Sequence, residues 1–385
     1  MIKKQAFKVF VLIVILGSFV SFLSVKPFIK GDAPYDKQAI QNKVEEILRT
    51  WVIGEESQYY KNVDVKLVPT SININSDTVE AVFSAEISQM LKARTPQELP
   101  AIKGMMKFVS LNSKRLSQNK VVAVNKEINN WIEEVKGYIG KTETITADFK
   151  VVANISGNGD VSKDTVKFFV ATSQGDFYEV DKLVESASEM EEGWFNHAKE
   201  VADKAGDITI NGSYQDIYQR TTAASYADKY ALNHNSAYYT CLNDCANFVS
   251  QALYAGGIPM DSYHDVSHWW CEPPKPPKDY SPWCYVGADI KNNYTGLRRY
   301  MINRRYFYTS DYYWANAGSV IVWKDDSHVA MVVQNDTITR ALSQHDPDKR
   351  HYYYSGIDNN GNKWLNTYYV NNCDFYIVHC YVPIP

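Results

Sequence analysis

Among the six cysteines and eight histidines of this 385-residue chain, Cys245 and His328 lie where nucleophilic chemistry is easiest to build. Cys245 opens the stretch NDCANFVSQALYAGG (243–257), in which Phe248, Val249, Ala252 and Leu253 recur at helical spacing. Carried back one turn, this apolar stripe reaches Cys245. Asn243 and Asp244 just before it are suited to capping a helix, and Gly256 and Gly257 end it. A thiol at a helix start meets the positive end of the macrodipole and unpaired N–H groups, which together favour the thiolate below the ordinary value of about 8.5. The same N–H groups can stabilise the oxyanion formed when the sulfur attacks a carbonyl. The plainer reading of the same residue is a buried cysteine that only packs.

A nucleophile of this kind needs a base, and His328 opens the strand-like run SHVAMVV after the turn residues Asp325 and Asp326. A two-residue loop at Asn335 and Asp336 would pair Gln334 with Thr337 and set His328 opposite Ser343. Strand alternation then places Ala341, Ser343 and His345 on the face His328 uses, so that either His345 or Ser343 could hold the second imidazole nitrogen. His345 is preferred for its reach across the diagonal. A slip of one residue would reverse this choice.

The elements that must carry these residues follow from periodicity. After the stretch YQRTTAASYADKYALNHN, with Ala223, Tyr226, Ala227, Tyr230 and Ala231 on one helical face, comes the cysteine helix. An irregular stretch from about 258 to 312 follows, containing the proline-rich CEPPKPPKDYSPWC. Strand-like runs then fill the rest: AGSVIVWKDD, SHVAMVVQND, TITRALSQH, KWLNTYYVNN and DFYIVHCYVPI. The predicted C-terminal unit, 206–385, is thus a helix bearing the nucleophile packed on an antiparallel sheet. Residues 34–205 read as a separate α+β domain of unknown role. There Ile40, Val44, Ile47, Leu48 and Trp51 share a helical face, and four alternating runs predict antiparallel strands, in two pairs separated by a long helical stretch. No catalytic constellation appears in this half.

Composition supports the division. All six cysteines, seven of the eight histidines and 23 of the 28 tyrosines follow Gly206, whereas Glu272 is the only glutamate beyond it. A net charge of −4 gives no reason to expect nucleic acid as a partner. At the N-terminus, Lys3, Lys4 and Lys8 precede the uncharged run 9–25, the pattern of a secretory signal or an uncleaved anchor over residues 1–33. The chain is therefore expected outside the cytoplasm, free, in the cell wall, or held to the membrane by that segment alone. Export permits disulfides, and Cys271 and Cys284, which bracket the proline loop, form the candidate pair. Cys373 and Cys380 differ by an odd number and would face opposite ways on one strand, so a bridge between them is not expected. No C-x-x-C or H-x-x-x-H pair occurs, and neither a metal nor a cofactor is expected.

The stretch DCANFVSQALYAGG is similar to the signature of the secreted bacterial putative amidase domain family, within the broad papain-like, NlpC/P60 and CHAP group. YADKYALNHNSAYY, GSVIVW, SHVAMVV and LSQH extend the resemblance over roughly residues 214–350. Ala246 departs from a common threonine and Ser319 from a common acid. The resemblance implies a papain-like, NlpC/P60-type α+β fold, with Cys245 as nucleophile, His328 as base and His345 as orienting residue. It also implies a cysteine amidase or peptidase acting through a thioester, on peptidoglycan or another cell-surface polymer or peptide. Two alternatives stand beside it: an acyltransferase on the same Cys–His pair in which an amine replaces water, and a non-catalytic wall-binding protein in which aromatic residues hold the polymer and Cys245 merely packs. Arg298, Arg299, Arg304 and Arg305 could grip anionic groups of a polymer or form a solvated helix face. Trp269, Trp270, Trp283 and Trp314 could line a groove or fill the core.

Overall fold

The computed structural model describes residues 35–205, 214–275, 281–287, 295–355 and 365–383. The N-terminal run 1–33, the break at Gly206 and part of the proline loop lie outside the described residues. Among those described, no helix is long and apolar enough to cross a membrane.

The first half begins with α1 (Lys37–Glu56). Asp36 caps it, its carboxylate accepting from Gln38 N at 2.9 Å and from Ala39 N at 3.3 Å. Ile40, Val44, Leu48 and Val52, each four residues apart, are buried. Next come β1 (Tyr60–Ile74), β2 (Thr78–Leu91), α2 (Pro100–Asn112), α3 (Gln118–Lys136), β3 (Thr142–Asn154), β4 (Lys167–Ala171), β5 (Phe177–Val180) and α4 (Ala187–Lys204). The four expected strands are present and pair antiparallel, and β2 and β3 bury alternate residues as half-covered strands must. Short β5 and the capped helix α4 add to what periodicity indicated.

The second half runs β6 (Tyr214–Asp216), α5 (Arg220–Tyr230), α6 (Cys245–Ala255), α7 (Leu297–Asn303), β7 (Phe307–Ser310), β8 (Val320–Trp323), β9 (Val329–Asn335), β10 (Arg340–Gln344), β11 (Lys349–Tyr353), α8 (Leu365–Asn372), β12 (Cys373–Val378) and β13 (Tyr381–Pro383). Two expectations are corrected. The span 258–312, expected to be irregular, contains α7 and β7. KWLNTYYVNN, expected to be a strand, contributes α8, where Tyr369 is fully buried on one side of a helix.

Every residue of β8 and β9 is buried, as befits central strands covered on both faces. Helices α5 and α6 pack on β9 and β10. Strands of both halves form one large sheet, ordered β1-β2-β3-β11-β10-β9-β8-β12-β7 with β4 and β5 branching from β3, while β6 and β13 pair apart from it. Its junction is a short parallel contact, Tyr352 opposite Thr146, reinforced by Thr146 Oγ1 donating to Arg350 O at 2.7 Å. Lys349 Nζ also reaches Asp148 at 2.6 Å. The remaining strand pairs of this sheet are antiparallel, and the whole is α+β.

Candidate functional site

Helix α6 begins at Cys245, and its inward stripe of Phe248, Val249, Ala252 and Leu253 is fully buried. Asp244 occupies the N-cap position, but its carboxylate turns away from the helix N–H groups. It accepts instead from Cys241 N, from Asn247 Nδ2 and from the His345 imidazole at 2.7, 2.7 and 2.5 Å. The amide of Asp244 donates to a carboxylate oxygen of Asp346. The segment before the helix is further tied by a disulfide between Cys241 and Cys284. This corrects the expected Cys271–Cys284 pair; Cys271, Cys373 and Cys380 are buried free thiols. Sequence distance favoured the shorter loop, whereas Trp283 Nε1, donating to Asn247 Oδ1 at 2.7 Å, holds the neighbouring Cys284 beside the cysteine helix.

With Asp244 turned away, the helix-start N–H of Ala246 is available to the Cys245 sulfur. The N–H of Val329, the residue next to His328, likewise favours the thiolate of that sulfur. The sulfur therefore lies near the backbone at the start of β9, one residue along the chain from His328. The electrostatics differ from the expectation of a lowered thiol pKa: burial pushes Cys245 up to about 11, against the pull of the two amides, and Asp346 and Asp244 add repulsion. Burial likewise drives His328 down to about 4, although Gln344, Asp346 and Asp325 all favour its charged form. At neutral pH the resting pair is thus a thiol and a neutral imidazole. His328 packs edge-on against Trp323 at 4.7 Å between ring centres. Its Nε2 is buried without a hydrogen-bond partner, and so is Oε1 of Gln344. Gln344 is close enough to favour the imidazolium without completing a bond at either atom.

The hairpin that was to supply the third residue has a different register. Asn335 pairs with Arg340, leaving a four-residue turn, and a bulge near Val333 brings Ser343 opposite Met331. Continued along both strands, this pairing sets Asp346 opposite His328 where Ser343 was expected. The shift is an odd number of residues, so the faces exchange. Gln344 comes beside His328, while His345 turns to the helix, stacked on Phe248 at 4.2 Å. Its two nitrogens contact Asp244 at 2.5 Å and the Tyr230 carbonyl at 2.9 Å. Ser343 Oγ accepts from His351 N at 3.0 Å. Neither His345 nor Ser343 is placed against His328. Gln344 and Asp346 were missed, although Gln344 lies inside the LSQH stretch and Asp346 directly follows it. Two polar residues flanking His345 were the available signal.

Arg298 is engaged by Asp326, Asp374 and Tyr376, and Arg304 by Asp261 at 3.0 Å. Trp269 and Trp283 are fully buried, donating to Ser250 and Asn247, and Trp270 is buried beside them. These residues build the wall of the domain. Trp314, half-buried and stacked on His197 at 3.6 Å, lines a cleft of about 1320 Å³ between α3 and α5. That cleft contains neither Cys245 nor His328.

Residues 217–370 match the family described as a putative amidase domain, so the C-terminal half carries an amidase-like domain. An uncharacterized protein of Bacillus subtilis (strain 168), YhbB, is 38% identical over 89 residues, 21% of this chain and 26% of that protein. The chain therefore spans about a quarter of the length of that relative. No solved structure matches.

Proposed function

We propose that this protein is an exported cysteine amidase that hydrolyses an amide bond in peptidoglycan through Cys245 and His328. One observation carries the reading: the N–H groups of Ala246, at the start of α6, and of Val329, which directly follows His328, both favour the Cys245 thiolate. Such a pair of amides can hold a developing oxyanion or thiolate equally well. Because both groups rest neutral, His328 acts as a general base, removing the thiol proton as sulfur attacks the carbonyl. The resulting imidazolium protonates the leaving amine, and the imidazole then activates water against the thioester. Gln344, in place of His345, favours the imidazolium during that cycle. The amidase-like domain supports amide hydrolysis in general. The cysteine chemistry rests on the site, and export and a wall substrate rest on the N-terminal run and the family resemblance.

The test is digestion of purified peptidoglycan by the full chain, followed by mass spectrometry of the released fragments. New amine and carboxyl ends should appear with the wild type. They should fall on the order of 10³-fold or more with Cys245→Ser and with His328→Ala. Undiminished cleavage by Cys245→Ser would remove the mechanism. The 5% exposure of Cys245 favours a second reading, a wall-binding protein in which the thiol only packs. Full wall binding by Cys245→Ser, with no cleavage by the wild type, would decide for it.

A further inference from the structure

Two loops carry side chains that the proposed chemistry does not use, and they converge beside the start of α6. His234 follows α5, and His345 and Asp348 follow β10. One ligand-capable atom from each lies within 4.8 Å of the others. His345 is held in place: it is buried, its ring stacks on Phe248 at 4.2 Å, and His234 lies tilted against it at 4.3 Å. Both of its nitrogens already have oriented partners, the Asp244 carboxylate at 2.5 Å and the Tyr230 carbonyl at 2.9 Å. Whichever nitrogen takes an ion, the other keeps the carboxylate or carbonyl contact that metal-binding histidines require to fix their tautomer. His234 is the movable partner, its side chain 41% exposed with Nδ1 3.3 Å from Asp244. Asp348 is exposed as well, which gives an ion a way in.

We propose that His234, His345 and Asp348 form a zinc site, in which the ion displaces one partner of His345, Asp244 or Tyr230, and the other orients the ring. Two imidazoles and a carboxylate suit a borderline divalent ion such as zinc and not calcium or magnesium, which take oxygen ligands. In a tetrahedral zinc site, ligand atoms stand about 3.3 Å apart. Rotation of the two exposed side chains toward His345 closes the remaining gap. The ion would clamp the loop after α5 to the loop after β10, on either side of Asp244, the residue before Cys245. Spacing motifs could not reveal it, because His234 is separated from His345 by two helices, α6 and α7, and four strands. The inference stands independently of the proposed hydrolysis.

The experiment uses the untagged full chain carrying Cys245→Ser, stripped with chelator, so that the thiol does not compete for the ion. Calorimetric titration with zinc chloride should show one site of micromolar or tighter affinity, and zinc should raise the melting temperature. Adding His234→Ala or Asp348→Asn should weaken that binding at least about tenfold and cancel the thermal shift. Both positions are exposed, so the stripped variants should melt with the stripped parent. Calcium or magnesium should produce neither heat nor shift. Absence of zinc binding, binding unchanged in both variants, or equal binding of calcium would each overturn the assignment.

Discussion

The resting protonation of Cys245 has a direct consequence for its reactivity. Burial raises the Cys245 thiol from 9.0 to about 11, a net penalty of roughly a few kcal/mol on the thiolate. At pH 8 the thiolate fraction of an unperturbed thiol is about one tenth, and that of Cys245 about one thousandth. Iodoacetamide reacts with the thiolate alone, so charge by itself makes Cys245 about 100-fold slower than the same residue in the unfolded chain. The assay is the alkylation rate of Cys245 from pH 6 to 10.5, read by peptide mass spectrometry in native protein and in denaturant. In native protein the rate should still be climbing nearly tenfold per pH unit up to pH 10, whereas the unfolded rate should reach about half its plateau near pH 9 and level off above it. A native plateau below pH 8.5 would mean that a thiolate–imidazolium pair exists at rest. That result would refute the reasoning from burial.

Other outcomes follow from the same coordinates. His328, lowered from 6.5 to about 4, stays neutral in the fold while the unfolded chain takes up its proton. Stability from this group is therefore present above pH 6.5 and lost on descent to about pH 4, by roughly a few kcal/mol, and His328→Gln should flatten that part of an acid denaturation series. Glu56 behaves in the opposite sense. It is fully buried, both its oxygens lack partners, and its pKa is raised from 4.5 to about 8. Its contribution is fully present below pH 4.5 and lost as pH rises towards 8, so Glu56→Gln should stabilise the protein at pH 8 by a few kcal/mol in urea titration. Opening the Cys241–Cys284 bridge, with its separation of 43 residues, by replacing both cysteines with serine should cost up to about 4 kcal/mol in the same assay. Gln344→Leu should lower kcat about two- to tenfold and move the acidic limb of its pH profile downwards. Unchanged kinetics would remove Gln344 from the base's support.

Local periodicity determined much of this protein before any coordinates. The 3-4 spacing after Cys245 specified α6 and put the thiol at its first position, and strand-like runs located β1 to β4, β8 and β9, the strand that follows His328. Those signals are legible because backbone hydrogen bonds and side-chain direction repeat with the chain itself. The third partner of the site was not legible, for a tertiary reason. Asp336 shapes the hairpin turn by accepting from Ile338 N and Thr339 N at 3.0 and 2.8 Å, and Tyr60, far off in the first half, donates to the same carboxylate at 2.8 Å. That contact accompanies a four-residue turn in place of two, and the added bulge makes the shift odd. The exchange of faces took His345 from the base and brought Gln344 to it. The thiol's pKa was misjudged for a related reason: a helix terminus is a local feature, but desolvation depends on everything packed around it. The sequence by itself determined which residues could react and on what elements they sit. Only the assembled sheet, continuous through both halves, decided which of their neighbours they face and how dry they are.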